Sequence, residues 1–154
     1  MSLLLSELGA EVHGYSLAPE TQPSLFTEAA IEKRLASHTV GDIRDKKAFQ
    51  SALKAARADI VFHFAAQALV RPSYKNPFDT FEINAMGTAN LLDFLREEKQ
   101  ARAAVMITTD KVYENKEWHW GYRENEALGG HDPYSASKAC TELIIHSYRS
   151  SFFP

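Results

Sequence analysis

Tyr134 and Lys138 stand four residues apart in the stretch YSASK, which opens the last amphipathic segment of the sequence. Positions i and i+4 share one face of a helix. A free phenol loses its proton only near about pH 10 and is a poor base at neutrality unless a nearby cation favours the phenolate. Lys138, one turn along, can supply that charge. The bland reading is a half-buried helical tyrosine beside a solvated lysine, because a bare Tyr-x-x-x-Lys arises by chance in many helices. Thr109, Asp110 and Lys111 follow one another at the end of an apolar run and could also hold or move protons. Their plain alternative is a turn-forming or helix-capping Thr-Asp pair followed by an exposed lysine.

Around these residues, strand-like and helical segments alternate. SLLLSELGA reads as a helix with Gly9 in the C-terminal cap position, and EVHGYS as a short strand after it. Pro19 and Pro23 make a loop before a short helix around Leu25 to Leu35. HTVGDI reads as a second strand, and DKKAFQSALKAARA as a helix with Phe49, Leu53 and Ala56 in step behind Asp45 as N-cap. DIVFHFAA is a continuous apolar run suited to a strand buried on both faces. A loop with Arg71, Pro72 and Pro77 leads into a long helix that carries Phe81, Ala85, Thr88, Leu92 and Leu95 on one side. ARAAVMITT reads as another buried strand, and a polar, aromatic loop from Lys111 to His131 precedes the closing helix.

This alternation predicts an α/β fold, a doubly wound parallel sheet of Rossmann type, in a single domain over residues 1–154. Ligands of such sheets sit beyond the carboxyl ends of the strands, which directs attention to the loops after Ser16, Ile43, Ala66 and Thr109. A nucleotide-binding sheet of this kind normally begins with a strand and a glycine-rich turn onto a helix N-terminus, where backbone N–H groups hold the pyrophosphate. The chain has no such turn and starts inside what reads as the first helix. The expectation is an incomplete fold, without the phosphate cradle.

Composition narrows the function. A net charge of -3 with no Lys/Arg run argues against nucleic-acid binding. Cys140 is the only cysteine, so no internal disulfide can form. No run reaches the roughly 18 apolar residues of a membrane span, and the N-terminus lacks the basic flank of a leader, so a cytoplasmic protein without membrane contact is expected. The six histidines fall on separate elements with no metal-ligand spacing, and no metal is expected. His63 reads as a core or crevice-lining residue, and Trp118 and Trp120 as loop packing or subunit contact rather than a stacking platform.

Five motifs in order carry a resemblance: GDIRD at 41–45, VFHFAAQ at 61–67, NAMGTANLL at 84–92, TTDKVY at 108–113 and YSASK at 134–138. Together they resemble the extended short-chain dehydrogenase/reductase family, and within it the nucleotide-sugar 4,6-dehydratases. GYSLAPETQPSLF, TTDKVYENKEWHWGYREN and GGHDPYSASKACTELI are most similar to the branch that takes CDP-glucose, in which a lysine follows the Thr-Asp pair as Lys111 does here. The resemblance covers nearly all of the chain but only about the middle part of a full-length member.

The resemblance implies an NAD cofactor, a nucleotide-sugar substrate such as CDP-glucose, and a homo-oligomer paired through long helices. It makes Tyr134 the base that removes a sugar hydroxyl proton and Lys138 the group that holds the nicotinamide ribose. Thr109 would orient the reacting hydroxyl, and Asp110, kept protonated, would protonate the departing C6 hydroxyl. Lys111 would stabilise charge at C5 or take the C5 proton, and the choice stays open. Asp42 and Ile43 would contact the adenine, where the bland reading of Asp42 is a turn cap. Ala65 and Ala66 would let the backbone approach the cofactor, although alanines are also common core filler. Ser16 stands where a carboxylate would select NAD over NADP. Asn84 resembles an asparagine that holds the site together, or is a polar helix residue with no such duty. The reading from another class is a chain that catalyses nothing, kept as an interaction remnant.

Overall fold

The computed structural model describes residues 1–153. They gather into two compact units, Met1–Ala58 and the residues from Asp59 onward.

In the first unit, α1 (Ser2–Glu7) ends where the sequence places its cap: Gly9 has φ +85°. The N–H groups of Gly9 and Ala10 reach back to the carbonyls of Ser6 and Leu5, a closure that favours glycine because a Cβ is disfavoured at positive φ. β1 (His13–Ser16) runs parallel to β2 (Ser37–Val40), with His13 opposite Ser37 and Ser16 opposite Val40. β2 stops earlier than HTVGDI suggests. The Tyr15 ring fills the space that a Cβ on Gly41 would take, and its hydroxyl donates to the Asp42 carbonyl at 3.0 Å, turning the chain out of the strand.

The helix expected around residues 25–35 is also broken. Ser24 caps α2 (Leu25–Glu28) by accepting from the Thr27 N–H, but Ala30 takes a left-handed conformation, and only a 3-10 turn (Ile31–Arg34) follows. A left-handed residue cannot continue a right-handed helix. α3 (Lys46–Ala56) matches the pattern, with Asp45 accepting from the Ala48 N–H and Phe49 buried, its ring centroid 5.0 Å from that of Tyr15.

In the second unit, β3 (Ile60–His63) pairs in parallel with β4 (Ala103–Met106), Ile60 opposite Ala103 and His63 opposite Met106. Between them run α4 (Val70–Lys75), α5 (Pro77–Phe81), a π turn (Glu82–Met86) and α6 (Gly87–Glu97). α4 occupies part of the segment expected to be a loop, and Pro72 is tolerated there because it lies in the first turn. The π turn interrupts the expected long helix.

The two strands are not buried on both faces as their apolar composition suggests. Ile60 is 53% and Val105 40% exposed, and His63 is the buried residue of β3. The reason is where the helices collect: α4, α5, the π turn and α6 pack on α7 (Pro133–Phe152) and not over β4. Leu91, Leu92, Leu95, Ala85, Val112 and Ala139 make the apolar core of this unit. Ser73, Thr80, Asn84, Thr88, Ser137 and Thr141 are buried among them, so this core depends on paired hydroxyls as well as on hydrocarbon.

The loop between Val112 and α7 is held at both ends. Tyr113 bridges Leu128, and the Gly129 N–H donates to the Val112 carbonyl at 2.8 Å. A Cβ on Gly130 would lie 2.4 Å from the backbone of Ser135 and Ala136, so only glycine lets the loop touch the start of α7. Among the described residues no helix is long and apolar enough to cross a membrane.

Candidate functional site

The first turn of α7 is fixed from outside. Pro133 presets φ at the first helical position, and the Asp132 carboxylate accepts from the Ser135 N–H at 3.0 Å and the Ser135 hydroxyl at 2.6 Å. Burial raises the Asp132 pKa, but hydrogen bonds from Ser135 and Tyr134 and the charge of Lys111 outweigh it and hold the carboxyl below its ordinary value. The Tyr134 N–H donates to Ser73 Oγ at 3.2 Å, and Ser137 Oγ donates to the Tyr134 carbonyl at 2.7 Å. Tyr134 and Lys138 are both buried.

Lys138 Nζ donates to the Ile107 carbonyl at 3.0 Å. An ammonium has three protons, so two remain for another acceptor. Burial lowers the Lys138 pKa, and the Glu142 carboxylate partly restores it. Thr108 Oγ1 donates to Glu142, so the two residues that continue β4 meet two residues of α7 one turn apart.

Thr109 follows immediately. Its hydroxyl accepts from the Lys111 N–H at 3.4 Å and donates to Asp110 Oδ1 at 3.1 Å, capping a 3-10 turn (Asp110–Val112) that packs on α7. Locally this is the capping geometry of the plain alternative, with Asp110 and Lys111 exposed. What the structure adds is place: the cap lies two residues beyond the carbonyl that Lys138 holds.

Asn84 has a duty. It is 1% exposed, its Oδ1 accepts from the Gln67 N–H at 2.8 Å, and its Nδ2 donates to the Gln67 carbonyl at 3.0 Å and to Ser137 Oγ at 2.8 Å. Its own carbonyl, within the π turn, accepts the hydroxyls of Thr88 at 2.7 Å and Thr141 at 3.0 Å. π turns displace the regular ladder and recur at functional sites. Through these bonds the half-buried Ala65 and Ala66, just before Gln67, are tied to α7.

His63 joins the same network. Its Nε2 lies 3.1 Å from Thr88 Oγ1, whose proton goes to Asn84, so His63 Nε2 is the donor and the ring is the Nε2–H tautomer. Burial, and then the charge of Lys138, lowers its pKa to about 4. The ring is neutral at pH 7. Sequence reasoning missed Ser73, Thr108, Thr141 and Glu142. The signal for Glu142 was the same i, i+4 spacing after Lys138 that marked Lys138 after Tyr134.

The remaining expected residues lie in the first unit. Ser16 ends β1, exposed, with its hydroxyl 3.0 Å from His38 Nε2 and donating to the Leu17 carbonyl at 2.9 Å. The Asp42 carboxylate accepts from the Arg44 guanidinium at 3.0 and 2.7 Å and from the Arg44 backbone N–H at 2.9 Å, which keep it below its ordinary pKa against the opposing effect of burial. Ile43 is buried, and Asp45 rather than Asp42 caps α3.

Residues 1–153 match the sequence profile of the family described as GDP-mannose 4,6 dehydratase. The chain is 48% identical over 153 residues to a CDP-glucose 4,6-dehydratase of Salmonella typhimurium, a match covering 99% of this chain and 42% of that protein. It is similar in structure to a dTDP-glucose 4,6-dehydratase of Streptomyces venezuelae solved with NAD bound: TM-score 0.81 at 26% identity, over 98% of this chain and 48% of that one. A UDP-glucose 4-epimerase of Thermotoga maritima shares the fold, with TM-score 0.82 at 22% identity, over 97% of this chain and 46% of that one. The chain thus spans less than half the length of these relatives. The fold is the Rossmann-like α/β arrangement expected from the alternation of elements, here with short two-stranded parallel pairs.

Proposed function

The chain belongs to the GDP-mannose 4,6 dehydratase family, and from that premise we propose that it carries the proton-transfer residues of an NAD-dependent nucleotide-sugar 4,6-dehydratase acting on CDP-glucose. The observation that carries this reading is the Lys138 ammonium on the Ile107 carbonyl, beside Thr109 and one turn from Tyr134. The name of the Salmonella relative supports CDP-glucose, and the Streptomyces structure with NAD bound supports the cofactor.

The donor set fits that cofactor. Two ammonium protons of Lys138 remain for paired ribose hydroxyls, and Ala65 and Ala66 add no bulk beyond Cβ where the backbone would approach it. When bound, NAD supplies the hydride exchange that allows C4 to be oxidised and C6 to be reduced within one turnover. Tyr134 takes the proton of the C4 hydroxyl, with Lys138 one helical turn along the same face. Thr109 hydrogen-bonds that hydroxyl and orients it. Asp110 gives a proton to the C6 hydroxyl, which leaves as water, while Lys111 steadies the charge at C5 or accepts the C5 proton. Asp110 and Lys111 favour a dehydratase, since an epimerase needs neither group. Asp42, Ile43 and Ser16 belong to the adenosine side of the same proposal.

The same reading makes residues 1–154 one cofactor-binding domain of a cytoplasmic enzyme, paired with a second copy through α5, α6 and α7. Exposed Phe78 on α5, Met86 at the end of the π turn, and Leu143 and Phe152 on α7 support that pairing. Titration calorimetry with NAD, followed by assay for a 4-keto-6-deoxy sugar from CDP-glucose, tests the proposal. Heat of binding and product are expected. Absence of heat at millimolar NAD would overturn it, and turnover of dTDP-glucose in preference to CDP-glucose would move the substrate to another branch.

A further inference from the structure

Lys138 and Glu142 are four residues apart on α7, and the structure ties both to consecutive residues just past β4. Lys138 donates to the Ile107 carbonyl, and Glu142 accepts from the Thr108 hydroxyl. The two bonds run in opposite directions, helix to strand and strand to helix, so sliding or rotating α7 breaks both. We propose that Glu142, held by Thr108, is a positioning residue for Lys138: the pair of bonds to Ile107 and Thr108 seats the ammonium at the end of β4, where Thr109 begins. This rests on the catalytic reading of Lys138 given above.

The physical case comes from charge and burial. A lysine out of water tends toward its neutral amine, which neither favours a phenolate nor holds a hydroxyl as strongly. An opposite charge one helical turn away resists that tendency, and more strongly in a partly buried site than on a surface. The groups whose charges are coupled to Lys138 are Glu142 and His63 of β3. His63 is neutral at pH 7 and offers no compensation. Asp110 and Lys111 on the adjoining turn are exposed, as are Arg71 and Tyr74 on α4 and Asp79 on α5. Glu82 on the π turn has a partner of its own, and Arg96 on α6 pairs with Asp93. Glu142 is therefore the carboxylate that counters the burial of Lys138, and Thr108 determines where that carboxylate sits.

The test needs neither cofactor nor substrate. In the full chain, the Lys138 Cε resonance, identified by its loss in K138R, is followed by NMR against pH. In E142Q, which keeps the size and the acceptor oxygen for Thr108, the Lys138 titration is expected to move to lower pH. In E142D it stays near that of the parent chain, and in T108V it moves the same way as in E142Q by less. A Lys138 titration unchanged in E142Q, with the melting temperature showing a folded chain, would overturn the inference. A purely structural Glu142 predicts that outcome. Where the chain turns over CDP-glucose, the basic limb of kcat shifts down in E142Q as well. A chain that fails to bind NAD yet shows the Lys138 shift sinks the enzymatic reading and leaves the electrostatic one standing, so the two failures are distinguishable.

Discussion

The Lys138 ammonium donates to the backbone carbonyl of Ile107 at 3.0 Å, across 31 residues of sequence. A side chain of the last helix thereby reports the position of the strand end that carries Thr109. In the proposed reaction this makes Lys138 both a support for the site and a member of it, whereas Tyr134 supports the fold through its backbone bonds and its buried ring and leaves its hydroxyl for chemistry.

Replacing Tyr134 by Phe should therefore separate activity from folding. Turnover of CDP-glucose is expected to fall roughly 100-fold to 10,000-fold, the usual worth of a positioned acid or base. Urea unfolding should change by less than about 1 kcal/mol, because the backbone bonds to Ser73 and Ser137 remain. Steady-state kinetics beside an unfolding curve checks both halves.

Asn84→Ala should behave in the opposite way. It removes three side-chain hydrogen bonds, two to Gln67 and one to Ser137, at a residue 1% exposed. Of the partners left behind Ser137 is fully buried and Gln67 half-buried, so a loss on the order of 2–4 kcal/mol in unfolding free energy is expected. Hydrogen exchange at the Gln67 amide should accelerate, and a protected amide there in the variant would contradict this role.

His63 gives the protein an acid-sensitive step. Its pKa falls from 6.5 to about 4 on folding, through burial first and then the charge of Lys138. Between those values the unfolded chain binds the extra proton, so stability rises with pH across that window. The contribution is fully present above about pH 6.5 and is lost as pH falls toward 4, on the order of 3 kcal/mol in all. His63→Gln keeps a donor for Thr88 and does not titrate. Its unfolding free energy should vary less than that of the parent chain between these limits.

Asp132→Ala should loosen the start of α7. The carboxylate caps the helix through the Ser135 N–H and hydroxyl, and loss of such a cap costs about 0.5–2 kcal/mol. Because its folded pKa is depressed, the stabilisation is present above the ordinary carboxylate value and disappears as pH falls through the folded one. The difference between parent and variant melting temperatures should accordingly shrink in acid, and a constant difference would argue against the cap.

Much of this architecture was readable from short windows. Asp45 and Gly9 bound their helices as their residue types predict, since a cap is an interaction within one turn. The alternation of strand and helix was likewise legible, and so was the spacing of Tyr134 and Lys138. The breaks were harder. Nothing local announces the left-handed Ala30 or the π turn at Asn84, whose carbonyl takes the hydroxyl of the distant Thr141. Apolar composition also overstated the burial of β3 and β4, because composition does not say where the covering helices go.

By itself, then, the amino-acid sequence determined the element order, the helix caps and the set of residues able to do proton chemistry, all of which depend on neighbours within about a turn. Only the tertiary structure decided which of them meet. The Thr88–His63 contact spans 25 residues and the Thr141–Asn84 bond spans 57. The tautomer of His63, the duty of Asn84 and the pairing of Glu142 with Thr108 follow from the packing of whole helices, and no local pattern encodes that.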